Sequence, residues 1–222
     1  MILAAGFGER MRPLTEHTPK PLLKVGGKSL IEYHLERLSS VGVRDVIINV
    51  AHLGDQIKKV LGSGERWQLS IQYSVEPEPL ETAGAIVHAL PLLGESPFLL
   101  VNGDVWTDFP FTSLLSKELD NALGHLVLVN NPEHHPGGDF SIDHGLLANK
   151  NEQAYTFAGV SLLHPSLLAD YPESRIRFPL GEVFRYFLSQ KKLTAEHYSG
   201  QWFDIGTVDR LESLDHLLSS PC

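Results

Sequence analysis

Three features of the chain predict an α/β fold of three layers (α/β/α) around a central, mostly parallel sheet. Short β-branched or Leu-rich runs alternate with longer stretches of helical period, as expected of strands and helices that pack in turn on one sheet. Residues 1–50 read as a strand, a long glycine-bearing loop, a helix and a second strand. Farther along, the apolar run Phe98-Leu99-Leu100-Val101 ends in Asn102-Gly103-Asp104. That puts a carboxylate at the carboxyl end of a buried parallel strand, where ligands of open α/β sheets collect.

Strands are expected over residues 1–4, 45–50, 69–75, 98–102, 123–129 and 154–163. The first helix is the most clearly marked. Ser29 and Glu32 have the spacing of a capping box, Leu30, Ile31, Leu35, Leu38 and Val41 share a face, and Gly42 ends it. Further helices are expected over residues 53–61, 82–93, 111–119, 180–190 and 207–218, with Thr82 at an N-cap position. Two connections are too long for a plain βα turn. Residues 6–27 carry four glycines and three prolines among polar residues, and residues 130–151 open with Asn-Asn-Pro-Glu-His-His-Pro-Gly-Gly-Asp. Loops of such length are usually functional. The second reads as a surface excursion or lid, in which His134 and His135 belong to a solvated, mobile turn rather than to a zinc site. With no repeat and no linker-like tract, residues 1–222 read as a single domain.

Charge narrows the functional classes. The 222 residues carry 18 basic and 27 acidic side chains, a net charge of −9, which argues against nucleic acid or a membrane surface as partner. A bound anion must then be caught by a local positive cluster. No apolar stretch is long enough to span a bilayer, and the chain does not open on a signal-peptide pattern. The lone Cys222 allows neither an internal disulfide nor a thiolate metal cluster. These features predict a cytoplasmic protein. Only three residues precede Ala4, a short central strand that points to a natural start upstream.

The opening loop supplies the positive cluster. It reads Leu3-Ala4-Ala5-Gly6-Phe7-Gly8-Glu9-Arg10-Met11-Arg12-Pro13-Leu14-Thr15, then Thr18-Pro19-Lys20-Pro21-Leu22. Glycines just after a strand let backbone N–H groups close on a ligand, and the cations beside them suit phosphates. The P-loop pattern and the third glycine of the dinucleotide fingerprint are both absent. On these residues alone, a polyphosphate cradle and a glycine-rich turn with solvated charges stand level. Asp104 suits a hard cation or a turn cap. Asp204, flanked by Trp202, Phe203 and Ile205, needs a compensating charge from a metal or from an Arg or Lys.

The full string is more specific. Leu-Ala-Ala-Gly-x-Gly-x-Arg-x-x-Pro-Leu-Thr, Pro-Lys-Pro-Leu and Gly26-Gly-Lys-Ser-Leu-Ile31 resemble the signature of the sugar-1-phosphate nucleotidyltransferases. Glu76-Pro-x-Pro-Leu-Glu-Thr-Ala-Gly84, Asn102-Gly-Asp104 and Trp202-Phe-Asp-Ile-Gly-Thr207 match the same family in order. The resemblance implies the Rossmann-like nucleotide-diphospho-sugar transferase fold, with residues 1–110 mainly binding nucleotide and residues 111–222 mainly binding sugar phosphate. It implies attack of a sugar 1-phosphate on the α-phosphorus of a nucleoside triphosphate with loss of pyrophosphate, which needs no serine, cysteine or histidine base. Mg²⁺ would be held by Asp104 and Asp204. Arg10 would stabilise the transition state and Lys20 would fix the β- and γ-phosphates or the attacking group. Leu3, Ala4, Ala5, Gly6, Gly8, Glu76, Ala83 and Gly84 would contact the nucleotide, and Asn102, Asp139, Lys150, Gly159 and Trp202 the sugar phosphate.

The chain departs from the family in lacking the Glu-Lys-Pro segment that supplies a lysine to the sugar phosphate. Lys150 is one substitute, and Arg175 or Arg177 could face a sugar carboxylate. Compact length, the Leu80-Glu-Thr-Ala-Gly84 variant and the insert at His134 look most like the family's uridylyltransferases of peptidoglycan recycling. That implies UTP and N-acetylmuramic acid 1-phosphate as substrates. Mannose-1-phosphate guanylyl transfer, or transfer to another hexose 1-phosphate, is the alternative within the family. A non-catalytic nucleotide-sugar sensor is the alternative outside it, disfavoured because a sensor needs no paired metal carboxylates. The expected partners are small molecules only, with the chain a monomer or weak homo-oligomer.

Overall fold

The computed structural model describes residues 1–219, so the thiol of Cys222 lies outside the described residues. In chain order the strands are β1 (Ile2–Leu3), β2 (Lys24–Val25), β3 (Lys28–Ser29), β4 (Asp45–Val50), β5 (Ser70–Val75), β6 (Phe98–Asn102), β7 (Val105–Thr107), β8 (Gly124–Val129), β9 (Phe140–Asp143), β10 (Leu146–Asn149), β11 (Thr156–Leu163), β12 (Leu193–Tyr198) and β13 (Trp202–Asp204). The helices are α1 (Leu30–Ser40), α2 (Gly54–Leu61), α3 (Glu81–Leu93), α4 (Phe111–Leu115), α5 (Ser166–Ala169), α6 (Leu180–Leu188) and α7 (Val208–Ser219). The chain divides into two compact units. The first comprises Met1–Pro79, Val101–Thr107 and Phe203–Cys222, the second Leu80–Leu100 and Asp108–Trp202.

In the first unit, β1 pairs in parallel with β4 and with β6, and β4 pairs in parallel with β5. Leu3 aligns with Asn49 and with Asn102, so three strands end level at their carboxyl ends. The parallel sheet expected from βα alternation is present here. The capping box forms as the sequence predicts, with the Ser29 amide and hydroxyl both on Glu32 Oε2, at 2.9 and 2.6 Å. The long connection after β1 is not an open loop. It winds through 3-10 turns at Glu9–Met11, Leu14–Glu16 and Lys20–Leu22 and then the β2–β3 hairpin. Met11 anchors it in a cluster with Leu23, Val25, Leu30, Ile205, Leu211 and Leu214. The closing helix α7 therefore packs on the same core as the opening loop.

The second unit adds antiparallel strands and puts a hairpin where a lid was expected. Its strands are mixed: β8 and β12 run parallel, whereas β8 with β11, β10 with β12 and β9 with β10 are antiparallel. Two residues, His144 and Gly145, join β9 to β10, too few for the crossover that parallel pairing demands. That hairpin occupies much of the stretch read as a lid, and it packs inward through buried Phe140, Ser141 and Leu147. The preceding turn is tied down as well. Asn131 Nδ2 donates to the carbonyls of Pro136 and Ala154, and its Oδ1 accepts the Thr156 hydroxyl. Besides these, the sequence missed β2, β3, β7, β12 and β13, most of them too short to show a period, and α4 ends at Leu115 rather than residue 119.

Candidate active site

The carboxyl ends of the parallel strands in the first unit carry most of the residues marked by the sequence. Where β1 ends, the buried Ala4 donates its N–H to Asn49 Oδ1 at 2.7 Å, and Asn49 Nδ2 donates to Glu76 Oε1 at 2.7 Å. Glu76 and Asn49 are 2% and 3% exposed, so this relay is an internal brace. It fixes the start of the loop, leaving Gly6 exposed with open space around it. Ala5 is buried. The Gly8 carbonyl accepts the Thr15 hydroxyl at 2.8 Å, which folds the loop back toward Lys20. Asn49 escaped the sequence reading, although the rule that pointed to Asp104, a polar residue where an apolar strand ends, applies to it equally.

Asp104 follows β6 by two residues, and Asp204 closes β13. Strands β7 and β13 pair with each other, and the Ile205 N–H donates to the Asp104 carbonyl at 2.7 Å. The two aspartate-bearing segments, a hundred residues apart in sequence, are thereby neighbours through the main chain. Gly103 makes the crossing possible. Its N–H donates to the Leu3 carbonyl at 2.8 Å, and a Cβ there would stand 2.7 Å from the same oxygen. Asn102, half-buried, aligns with Leu3 on the adjacent strand.

Each carboxylate is met by a cation. Lys20 Nζ lies 2.5 Å from Asp104 Oδ2, held there by the Pro19–Leu22 turn. Arg210 Nη1 lies 2.5 Å from Asp204 Oδ2. The salt bridge left open for Asp204 by its sequence is thus made by Arg210, a residue the sequence reading did not single out. Arg10 is exposed, and its Nη2 comes within 3.1 Å of the position a Cβ on Gly206 would take. Arg10, Lys20, Asp104 and Asp204 therefore all belong to the first unit.

The donor set suits a hard divalent cation. Among the described residues no group of three or more His, Cys, Asp or Glu gathers into a closed metal site. Asp104 and Asp204, partly exposed and each paired with a cation, are the carboxylates that would hold such an ion, with phosphate oxygens and water filling the remaining positions. Beneath it, the fully buried His34 of α1 lies near the backbone of Asn102 and Val105. Burial drives its imidazole down to about 4, so it stays neutral at physiological pH.

The remaining marked residues lie in the second unit. The Ala83 and Gly84 N–H groups both donate to the Phe178 carbonyl, at 3.1 and 3.3 Å. A Cβ on Gly84 would overlap the Ile176 carbonyl oxygen, so this glycine admits the residue 176–178 segment. Thr82 is not the N-cap expected; its hydroxyl accepts the Leu180 N–H at 2.7 Å. Asp139 accepts the Phe157 N–H at 2.9 Å and faces His135 Nε2 at 3.0 Å, and Lys150 Nζ approaches Gly137. Gly159, at φ +70°, sits within the register shift between Phe157 and Ser161, and Trp202 Nε1 donates to the Ala158 carbonyl at 2.9 Å. Arg175 pairs with Glu173 and Glu182, and Arg177 with Glu81.

Known proteins match this chain along its length. The family model described as nucleotidyl transferase covers residues 1–140. The chain is 46% identical to an N-acetylmuramate alpha-1-phosphate uridylyltransferase of Neisseria meningitidis, over 98% of this chain and 96% of that protein. It is 33% identical to the catalytic subunit beta of a Drosophila melanogaster mannose-1-phosphate guanylyltransferase, over 93% of this chain but 58% of the relative. Among solved structures, a Bacillus anthracis protein described as a glucose-1-phosphate thymidylyltransferase superposes with a TM-score of 0.88 at 21% identity, covering 100% of this chain and 95% of that one. HddC from Yersinia pseudotuberculosis gives 0.78 at 24% identity, over 97% of each chain. The structural likenesses speak for the fold.

Proposed function

This chain belongs to the nucleotidyl transferase family, and we propose that it joins N-acetylmuramic acid 1-phosphate to UTP, forming UDP-N-acetylmuramic acid and pyrophosphate. Sugar-1-phosphate nucleotidyl transfer is the activity of the relatives it matches over nearly its whole length. The observation that carries the reading to particular residues is the 2.7 Å bond from Ile205 N–H to the Asp104 carbonyl, which brings Asp204 and Asp104 to one place beside Lys20.

An oxygen of the sugar phosphate bonds to the α-phosphorus as the bond to the bridging oxygen breaks, and pyrophosphate departs. The attacking oxygen is already ionised at neutral pH, so the protein's task is to bring two polyanions together and stabilise the charge at phosphorus. Arg10 and Lys20 supply positive charge from the opening loop. The Ala4–Asn49–Glu76 brace holds the start of that loop rigid, so its main chain meets the nucleotide without first being ordered. A Mg²⁺ ion bound by Asp104 and Asp204 would neutralise phosphate oxygens. Trp202, Asp139, Lys150 and Gly159 are assigned to the sugar side, and Ala83 and Gly84 to the nucleotide side. UTP as substrate favours the cytoplasm, with the chain acting as a monomer or weak homo-oligomer.

The test is pyrophosphate release from a matrix of nucleoside triphosphates against sugar 1-phosphates with Mg²⁺. UTP with N-acetylmuramic acid 1-phosphate is expected to exceed every other pair. A preference for GTP with mannose 1-phosphate overturns the substrate assignment. Release from no pair, with UTP still bound, makes the protein a sensor.

A further inference from the structure

The roles just assigned leave one cation of the site unused. Arg210 stands at the start of α7, where its Nη1 holds Asp204 Oδ2 at 2.5 Å and its Nε reaches the Thr207 hydroxyl at 3.3 Å. A Cβ on Gly206 would overlap Arg210 Nη2 and stand 3.1 Å from Arg10 Nη2. Two guanidinium groups from opposite ends of the sequence thus converge over one glycine, whose missing side chain gives them room. Adjacent like charges repel unless an anion joins them. Arg210 meets Asp204, and among the described residues no ion pair involves Arg10. The arrangement is a fork pair able to grip phosphate oxygens from two directions.

Resting on the function proposed above, we infer that Arg210 is an exchangeable counter-ion that becomes a phosphate ligand. Without metal it neutralises Asp204. When a divalent cation takes that carboxylate, Arg210 is released and joins Arg10 on the phosphate oxygens of the bound substrate. The Arg210 and Asp204 side chains are 20% and 28% exposed, so their separation uncovers no buried core. Lys20 on Asp104 has the same relation to the other carboxylate. Metal and phosphate binding are then linked through these pairs: the cation that leaves each aspartate is delivered where the incoming anion needs it.

Opposite signs make the inference testable by calorimetry on the full chain, with Mn²⁺ and inorganic pyrophosphate as probes. Arg210→Gln removes the competitor for Asp204, so Mn²⁺ alone should bind more tightly. Pyrophosphate should bind the Mn²⁺-saturated variant roughly ten- to a hundredfold more weakly, the loss of a charged hydrogen-bonding partner. In chelator, Asp204→Asn should bind pyrophosphate more tightly than wild type, and adding Arg210→Gln should abolish the gain. Arg210→Lys, which keeps the charge but not the fork, should leave Mn²⁺ binding near wild type and still weaken pyrophosphate. It carries the test if the glutamine variant melts early. Unchanged pyrophosphate affinity in both Arg210 variants, or a gain that survives in the double variant, overturns the inference alone. A wild type that binds neither probe overturns the proposed function with it.

Discussion

Ile205 donates its backbone N–H to the carbonyl oxygen of Asp104 at 2.7 Å. Because this bond is main chain to main chain, the spatial pairing of Asp104 with Asp204 survives any change in either carboxyl group. Chemistry at the site and integrity of the fold can therefore be separated by substitution.

Asp104→Asn and Asp204→Asn should each lower turnover by roughly a hundredfold or more, the scale for losing a preorganised electrostatic contributor, with melting temperatures close to wild type. Pyrophosphate release and thermal denaturation measured on the same samples check both halves. A variant with near-normal turnover is removed from the metal site.

Lys20→Ala should impair use of the triphosphate more than use of the sugar phosphate, because Lys20 projects from the opening loop beside Asp104. Separate titration of each substrate reads this as a larger loss of kcat/KM along the UTP axis. A defect confined to the KM for the sugar would reverse the assignment.

Gly103→Ala should destabilise the first unit, since the added methyl would meet the Leu3 carbonyl at 2.7 Å. Main chain cannot rotate aside, so the cost is that of overpacking, about 1–3 kcal/mol. Urea denaturation measures it, and the Asp104 turn moves with it, so activity should fall as well. An unchanged midpoint would show that the strand ends yield freely.

His34 makes stability depend on pH. Its imidazole titrates near 4 when folded because burial disfavours the charged form, against 6.5 when unfolded. The unfolded state therefore binds the extra proton between these values, and stability is full above about pH 6.5 and falls as the pH drops toward 4. The difference corresponds to about 3 kcal/mol at most. His34→Gln should flatten the slope of unfolding free energy between pH 7 and 5. Equal slopes in the two proteins would mean the ring is reached by water.

Much of this was legible residue by residue. The Ser29–Glu32 cap, the 45–50 and 98–102 strands and the placement of Asp104 just past a strand end follow from local pattern and hold in the structure. The 130–151 stretch misled because Pro, Gly and paired histidines dominate its opening, residues 130–139, whereas its pairing rests on Asn131, Asp139 and the short β9–β10 hairpin. Asn49 and Arg210 were missed for a different reason. Polarity at a strand end marks Asn49 but says nothing of its partners, Ala4 and Glu76, and a lone Arg in a helix carries no local sign of Asp204.

The sequence by itself determined the chemistry available: a glycine loop with Arg10 and Lys20, two aspartates in apolar settings, and the order of strands and helices that carries them. Those follow from side-chain type and spacing, which act over a few residues. Tertiary structure alone decided which charges neutralise one another, Lys20 with Asp104 and Arg210 with Asp204, and that both pairs are joined through Ile205. Such pairings depend on distances of a few ångströms between residues far apart in the chain, and only the packing of β7, β13 and α7 around the opening loop sets them.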